Sequence, residues 1–336
     1  MRPHQIELAD IAAYPNLAEA VRKAAKGKRH RPDVAEFMGS FDARIETLAR
    51  DILAGAAPYG RYRAFHIHDP KRRLIHAACF EDRVLHHAIL NVAEPVFERA
   101  LVASTYACRP GKGVHRAVVQ VQDQLRRYPW FVKVDVDGYF PSIDHGILFR
   151  LLCRRFKGAG FLSLLGRIID SYHARLGKGL PIGSLTSQHF ANHYLDGADR
   201  WLLGHPDVRA HVRYMDDMVW WCRGKEEAKQ VLAGFDGYLR EERGLRLKSA
   251  VQINRSPRGM TYCGYRILPD AVLLTPRKRR RYRSLRQHWE TEWRAGHIDS
   301  LKLQAAYAAV HAITLHAHSR TWRQNHLRLH PPRWDD

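Results

Sequence analysis

The chain has 336 residues, a formal net charge of +21 at pH 7, 45% hydrophobic residues and 26% charged residues. That length and balance exclude a disordered or fibrous polypeptide and allow a sizeable core in one to three structural units. The excess of Lys and Arg points to a polyanionic partner, usually nucleic acid, and no apolar run reaches the about 18 residues of a membrane span.

The opening Met1-Arg2-Pro3-His4-Gln5 lacks the charged-then-apolar pattern of a secretory signal, so a cytoplasmic protein without membrane association is expected. Residues up to about 57 read as helices. Leu17, Val21 and Ala24 share one face, and Phe37, Phe41, Ile45, Leu48 and Ile52 follow at helical spacing. The basic run Lys26 to Pro32 is a loop between them. Residues 61–78 alternate as two strands with a turn at Asp69-Pro70-Lys71. Helices are predicted at 82–99 and 113–127, and a buried strand at Phe131 to Val136.

Helical patterns return at 145–156, 162–176 and 184–203, the last after a Pro181-Ile182-Gly183 turn. Val212 to Met215 and Met218 to Trp221 read as the arms of a hairpin with Asp216-Asp217 at its tip. A helix at 225–243 ends at Gly244, and short strands follow near 245–253, 260–268 and 272–274. From Pro276 the chain is helical and Arg-rich. Strands and helices without strict β-α-β alternation predict an α+β fold. The five cysteines, Cys79, Cys108, Cys153, Cys222 and Cys263, form no C-x-x-C pair and are read as reduced thiols.

Asp135 and the Asp216-Asp217 pair carry the chemistry. Phosphoryl transfer to a growing strand uses two divalent ions, one to activate a 3′ hydroxyl and one to steady the leaving triphosphate. Mg²⁺ is a hard ion, so it takes carboxylates and a backbone carbonyl. An Asp at the end of one apolar strand and an Asp pair on a neighbouring hairpin would supply them. Read alone, an Asp-Asp pair is also an ordinary turn.

In order along the chain, these motifs resemble those of the reverse transcriptases, over roughly residues 61–268. Tyr214-Met215-Asp216-Asp217 resembles the catalytic hairpin, and Val134-Asp135-Val136-Asp137-Gly138-Tyr139-Phe140 the first aspartate motif. The resemblance implies a right-hand polymerase: an N-terminal helical extension (1–60), fingers and an antiparallel palm sheet (61–270), and a helical basic thumb (271–336). It implies catalytic Asp135, Asp216 and Asp217, holding two Mg²⁺ ions together with the Val136 carbonyl, with Mn²⁺ as a substitute.

Around the incoming dNTP, the resemblance implies that Phe140 packs on the sugar and excludes a 2′-hydroxyl. Ile182, Gly183 and Gln188, in Leu180-Pro181-Ile182-Gly183-Ser184-Leu185-Thr186-Ser187-Gln188, line the nucleotide and template site. Lys71-Arg72-Arg73-Leu74-Ile75 resembles the fingers strand that contacts the triphosphate, which implies a bidentate phosphate or base-stacking contact from Arg73 and a point charge at Lys71. The residues alone also allow a core aromatic at 140, an ordinary Pro-Gly loop at 181–183 and a solvated basic hairpin at 71–73. Thr261-Tyr262-Cys263-Gly264-Tyr265-Arg266 resembles a primer grip. The usual position of a pyrophosphate-protonating Lys holds Val251, and Lys248 is offset by three.

Within the family the likeness runs to the enzymes of diversity-generating retroelements. Ser187-Gln188 replaces the Ser-Pro of intron enzymes, and Ile182 stands where retroviral enzymes have Gln. That subgroup copies a template-repeat RNA into cDNA with errors at adenine, and works with a small basic accessory protein. The implied partners are template RNA, the RNA–DNA duplex, dNTPs and that accessory protein. Rival readings are a retron, intron-derived or defence-associated reverse transcriptase, and a catalytically idle RNA-binding protein.

Arg277-Lys278-Arg279-Arg280-Arg281-Tyr282-Arg283, followed by Arg286 and Arg294, suits duplex phosphates. A solvated face, or a dock for an acidic protein, is the other reading. Trp289 and Trp293 are expected in the core of that unit. His86, His87, His311, His316 and His318 are read as polar helix residues rather than metal ligands.

Overall fold

The computed structural model describes residues 2–68 and 72–332. In chain order its elements begin with β1 (His4–Gln5), α1 (Leu8–Ala12), α2 (Tyr14–Ala25), α3 (Pro32–Gly39) and α4 (Phe41–Ala54). Next come β2 (Tyr62–His68), β3 (Arg72–Ala78), α5 (Phe80–Ala100), α6 (Val114–Arg127), β4 (Trp130–Asp135), α7 (Tyr139–Ser142), α8 (His145–Cys153), β5 (Phe156–Lys157) and α9 (Ala159–Asp170). They are followed by α10 (Leu185–Tyr194), α11 (Asp196–Gly204), β6 (Ala210–Tyr214), β7 (Asp217–Cys222), α12 (Lys225–Arg243) and β8 (Gln252–Arg255). A hairpin of β9 (Met260–Tyr262) and β10 (Tyr265–Ile267), then β11 (Val272–Leu274), leads to α13 (Pro276–Arg294), α14 (Ser300–Ala312) and α15 (Arg320–Leu329). The mixture is α+β, as the lack of β-α-β alternation predicts. Among the described residues no helix is long and apolar enough to cross a membrane.

These elements form two units. The first comprises Met1–Cys108, Asp135–Leu202 and Ala233–Ala250. Its core begins where α2 lays Leu17, Ala20, Val21 and Ala24 against α5, whose Val84, Leu85, Ala88 and Ile89 are fully buried. That helical spacing makes one apolar stripe, and each Leu, Val or Ile in it contributes about 1.5–3 kcal/mol on burial. Phe97 on α5 continues the core through Phe156 and Phe190. β2 and β3 pair antiparallel from Tyr62↔Ala78 to His68↔Arg72. The turn expected at 69–71, and with it Lys71, lies outside the described residues.

The second unit comprises Arg109–Val134, Leu203–Leu232 and Val251–Asp336. Its sheet has the order β6-β7-β4-β8, with β6–β7 and β4–β8 antiparallel. Met218, Val219, Trp220, Trp221 and Cys222 are all buried, so β7 is a central strand covered on both faces. α6 packs against β6 through a face that includes Ala117, Val118, Val121 and Leu125. A second sheet, β11-β10-β9, precedes the three C-terminal helices.

The helix expected at 145–156 ends at Cys153, with Phe156 in β5, and three further boundaries differ from the periodicity. The helix expected at 162–176 stops at Asp170, because residues 174–179 close a turn through Ala174 N–H to Lys178 O and the Arg175↔Lys178 bridge. The helix expected at 184–203 breaks at Leu195, where Tyr194 is tied through its hydroxyl to the Arg243 carbonyl. The strand expected at 245–253 reduces to a bridge at Leu247 and a strand from Gln252.

Candidate active site

Asp135 ends β4, where the apolar run Phe131-Val132-Lys133-Val134 meets solvent. The chain at 246–248 runs beside it. Asp137 N–H donates to Arg246 O at 2.9 Å, and Lys248 N–H donates to Asp135 O at 2.9 Å. These bonds flank the antiparallel bridge Val136↔Leu247. In that geometry the Val136 N–H and carbonyl turn away from Leu247, leaving the carbonyl directed elsewhere. The Lys248 ammonium lies 2.5 Å from Asp135 Oδ1, an ion pair of two half-exposed side chains.

The Asp216-Asp217 pair is built by β6 and β7. Tyr214 pairs with Asp217, so the two-residue turn is Met215-Asp216 and not the two aspartates. Asp217 is the first residue of β7 rather than half of the tip. Met215 has φ 59°, the left-handed region that a two-residue hairpin demands and a side chain of this size resists. The fully buried Arg213 holds it, donating from Nη1 to Met215 O at 3.0 Å. Asp217 Oδ1 is 3.2 Å from the Lys133 ammonium of β4. The Tyr262 hydroxyl donates to the Asp217 carbonyl at 3.0 Å. Its own pKa is raised well above the usual value, first by burial and then by the Asp217 charge. Sequence reading missed Lys133, which looks like an ordinary alternation in a strand.

Within each unit the oxygen donors are of the kind a hard divalent cation takes, and Asp135 in the first and Asp217 in the second already draw ammonium groups to 2.5 and 3.2 Å. Asp135 and Val136 belong to the first unit, and Asp216 and Asp217 to the second.

The first unit also carries Arg73, Phe140, Ile182, Gly183 and Gln188, the described residues among those singled out for a nucleotide. The Phe140 carbonyl accepts from Leu180 N–H at 2.9 Å, and the Ile182 carbonyl accepts from His76 N–H at 2.9 Å. Gly183 has φ 111°, and a Cβ there would sit 2.8 Å from Ile75 Cγ2. Only glycine lets this turn lie against β3. Gln188 Oε1 accepts from the Cys108 thiol at 3.3 Å, so its amide oxygen is engaged. Ser184 Oγ is 3.1 Å from Nδ1 of His86, whose pKa full burial pushes down to about 4.

Beside Gly183 opens a cleft of about 1050 Å³ whose lining includes Lys28, Arg31, Arg61, Arg63 and Arg83, with Asp33 among them. Burial, and then the charges of Arg83 and Arg31, lower the pKa of Lys28. Such crowding of cations suits a phosphate-bearing ligand. Arg73 is exposed on the face of β3 that also presents Ile75 and Ala77, both lining this cleft. The sequence signal for the cleft was the basic run at 26–32, which reads locally as a loop.

In the second unit the start of α13 carries the Arg cluster. Arg277, Arg280, Arg281 and Arg283 are exposed, whereas Lys278 lies 4.0 Å over the Tyr265 ring. Arg286 is buried in an ion pair with Glu290 at 2.6 Å and serves the fold. Trp289 and Trp293 are half-buried, and Trp293 Nε1 donates to Ser300 Oγ at 3.3 Å.

Residues 67–267 match the family model described as "Reverse transcriptase (RNA-dependent DNA polymerase)". The chain is 26% identical over 324 residues to Protein YkfC of Escherichia coli, covering 80% of this chain and 82% of that one. It is 25% identical over 201 residues to the group II intron-encoded protein LtrA of Lactococcus lactis, covering 57% of this chain and 33% of LtrA. Among solved structures, apo telomerase from Candida tropicalis aligns over 68% of this chain and 53% of that chain, at 10% identity and a TM-score of 0.47. The chain thus spans most of one curated relative but about a third of the intron protein.

Proposed function

The chain belongs to the reverse transcriptase family, residues 67–267 forming its RNA-dependent DNA polymerase domain, and from this premise we propose that it extends a primer 3′ end with dNTPs on an RNA template. The carrying observation is the pair of lysine-held carboxylates, Lys248 on Asp135 and Lys133 on Asp217. Asp135, Asp216 and Asp217, with the Val136 carbonyl, would hold two Mg²⁺ ions, with Mn²⁺ as a substitute. Those ions, when bound, lower the pKa of the primer hydroxyl and stabilise charge on the triphosphate.

The protein's own residues do the rest. Phe140 closes the space beside the sugar. Ile182 and Gly183 form the floor under the nascent pair, and Gln188 steadies the helix behind it. Arg73 and Lys71 take the triphosphate from the strand side. Lys248, offset by three from the family's usual lysine position, is our candidate for the proton donor to departing pyrophosphate. By its likeness to the family we assign N-terminal helices to residue 60, fingers and palm over 61–270, and a thumb over 271–336 whose exposed arginines would grip the duplex.

The finer assignment is to a diversity-generating retroelement, supported by Ser187-Gln188 and Ile182. The apolar Ile182 offers no side-chain hydrogen bond to check the pair, consistent with infidelity at adenine. This role brings in a template-repeat RNA and a small basic accessory protein. An intron-derived enzyme is the second reading, favoured by the likeness to LtrA. A near-repeat beside the gene that differs at adenines separates the two. For the polymerase itself the test is Asp216→Asn. It abolishes Mg²⁺-dependent dNTP incorporation and leaves RNA binding intact. Undiminished synthesis would overturn the reading.

A further inference from the structure

A second group of ligand-type side chains lies in the first unit, apart from the carboxylates described above. His145 is the first residue of α8, Asp170 is the last residue of α9, and His173 follows in the loop. One nitrogen or carboxylate oxygen from each of the three lies within 4.8 Å of the others. His145 is buried, whereas Asp170 and His173 are exposed.

The protonation of His145 follows from its contacts. Nε2 lies 2.7 Å from the Gly179 carbonyl. A carbonyl only accepts, so Nε2 carries the hydrogen, and in the neutral ring Nδ1 is left with its lone pair. That Nδ1 is buried and has no hydrogen bond among the described residues. It faces Asp170 Oδ1 at 3.4 Å. Two acceptors facing at that distance are bridged by a proton or by a metal ion, and a third ligand-type group beside them, His173, favours the ion. A His ring fixed by a backbone carbonyl at one nitrogen, with the other free, is the usual preparation of a metal-ligating imidazole.

The spacing agrees. Ligands about 2.0–2.1 Å from a tetrahedral ion stand about 3.3 Å apart, against the 3.4 Å observed between His145 and Asp170. The His173 ring lies 4.8 Å from the His145 ring, tilted by 35°, and supplies the third nitrogen. Asp170 also sits where the carbonyl end of α9 favours a cation.

We infer that His145 Nδ1, Asp170 and a ring nitrogen of His173 bind a divalent transition-metal ion, Zn²⁺ being the best fit, with water completing the shell. Two imidazoles and one carboxylate suit Zn²⁺, whereas Mg²⁺ prefers oxygen throughout. The ion is a brace. It fastens the end of α9 to the start of α8, beside the 174–179 turn. That turn is already held by His145 N–H to Gly177 O at 2.9 Å and Gly179 N–H to Ile143 O at 2.8 Å, and it leads to Ile182 and Gly183.

The test is equilibrium dialysis of the untagged full chain against Zn²⁺ with excess Mg²⁺, which occupies the polymerase carboxylates. Bound zinc is counted by elemental analysis, and thermal unfolding is followed in parallel. Wild type retains one zinc per chain and gains in Tm. His173→Ala and Asp170→Ala, both at exposed positions, bind more than about 10-fold more weakly, while His311→Ala, in the other unit, keeps its zinc. The inference is overturned if wild type holds no more zinc than His173→Ala, or if His311→Ala loses as much. Both readouts are independent of polymerisation, so failure here leaves the proposed function standing.

Discussion

The Lys248 ammonium stands 2.5 Å from Asp135 Oδ1, and the same lysine donates its backbone N–H to the Asp135 carbonyl. One residue thus holds the aspartate by main chain and competes for its carboxylate by side chain. Both side chains are about one-third exposed, so the pair contributes no more than about 1 kcal/mol to stability. Its importance lies in chemistry. Lys248→Gln is expected to lower the half-saturating Mg²⁺ concentration, because the carboxylate loses its rival cation. If Lys248 is the proposed proton donor, the maximal rate of single-nucleotide incorporation falls about 10-fold or more. A Mg²⁺ titration checks both, and an unmoved midpoint would count against the competition.

Phe140 is half-buried, edge-on to Tyr139 at 5.7 Å, with its carbonyl bound to Leu180 N–H. Phe140→Ala keeps those backbone bonds and opens the space beside the ring. Discrimination against rNTPs is expected to fall by about 10-fold or more, with a stability loss under about 2 kcal/mol. Paired kcat/KM measurements on dNTP and rNTP decide it.

Gly183→Ala meets two obstacles, a φ of 111° and a Cβ position 2.8 Å from Ile75 Cγ2. The strain costs about 1–3 kcal/mol, so Tm falls and the turn moves off β3. KM for dNTP is expected to rise. An unchanged Tm would mean the turn relaxes freely.

Acid stability depends on the buried His86 and His193 and the partly buried His189. Burial pushes His86, His189 and His193 from 6.5 down to about 4. Between those values the unfolded chain takes up protons that the folded chain refuses. Their contribution is therefore complete above pH 6.5 and is lost as pH falls toward 4, by about 1.4 kcal/mol per pH unit for each histidine. Denaturant midpoints measured from pH 7.5 to 5 test this. His86→Gln should flatten the slope by roughly one proton.

Much of this was readable from one sequence because it is local. The β6–β7 hairpin follows from two apolar arms around a polar pair, and α12 ends at Gly244 in the left-handed conformation as predicted. What was not readable depends on register or on distance. The hairpin tip moved by one residue, since alternation does not say which residues turn. Lys133 meets Asp217 only through strand pairing. Arg61, Arg63 and Arg83 join Lys28 and Arg31 in one cleft, although each looks like solvated surface in isolation. His145, Asp170 and His173 have no recognisable spacing, because two helix ends and a loop bring them together.

The two-residue turn at Met215-Asp216 also constrains how this protein can diverge. Strand side chains alternate faces, so a single insertion or deletion between Tyr214 and Met218 would exchange the faces of Asp217 and its buried neighbour. Such a lineage would put a carboxylate into the Trp220–Trp221 core and a methionine among the charged groups. Change in this hairpin is thus confined to substitution at constant length, while loops elsewhere on the surface remain free to grow or shrink.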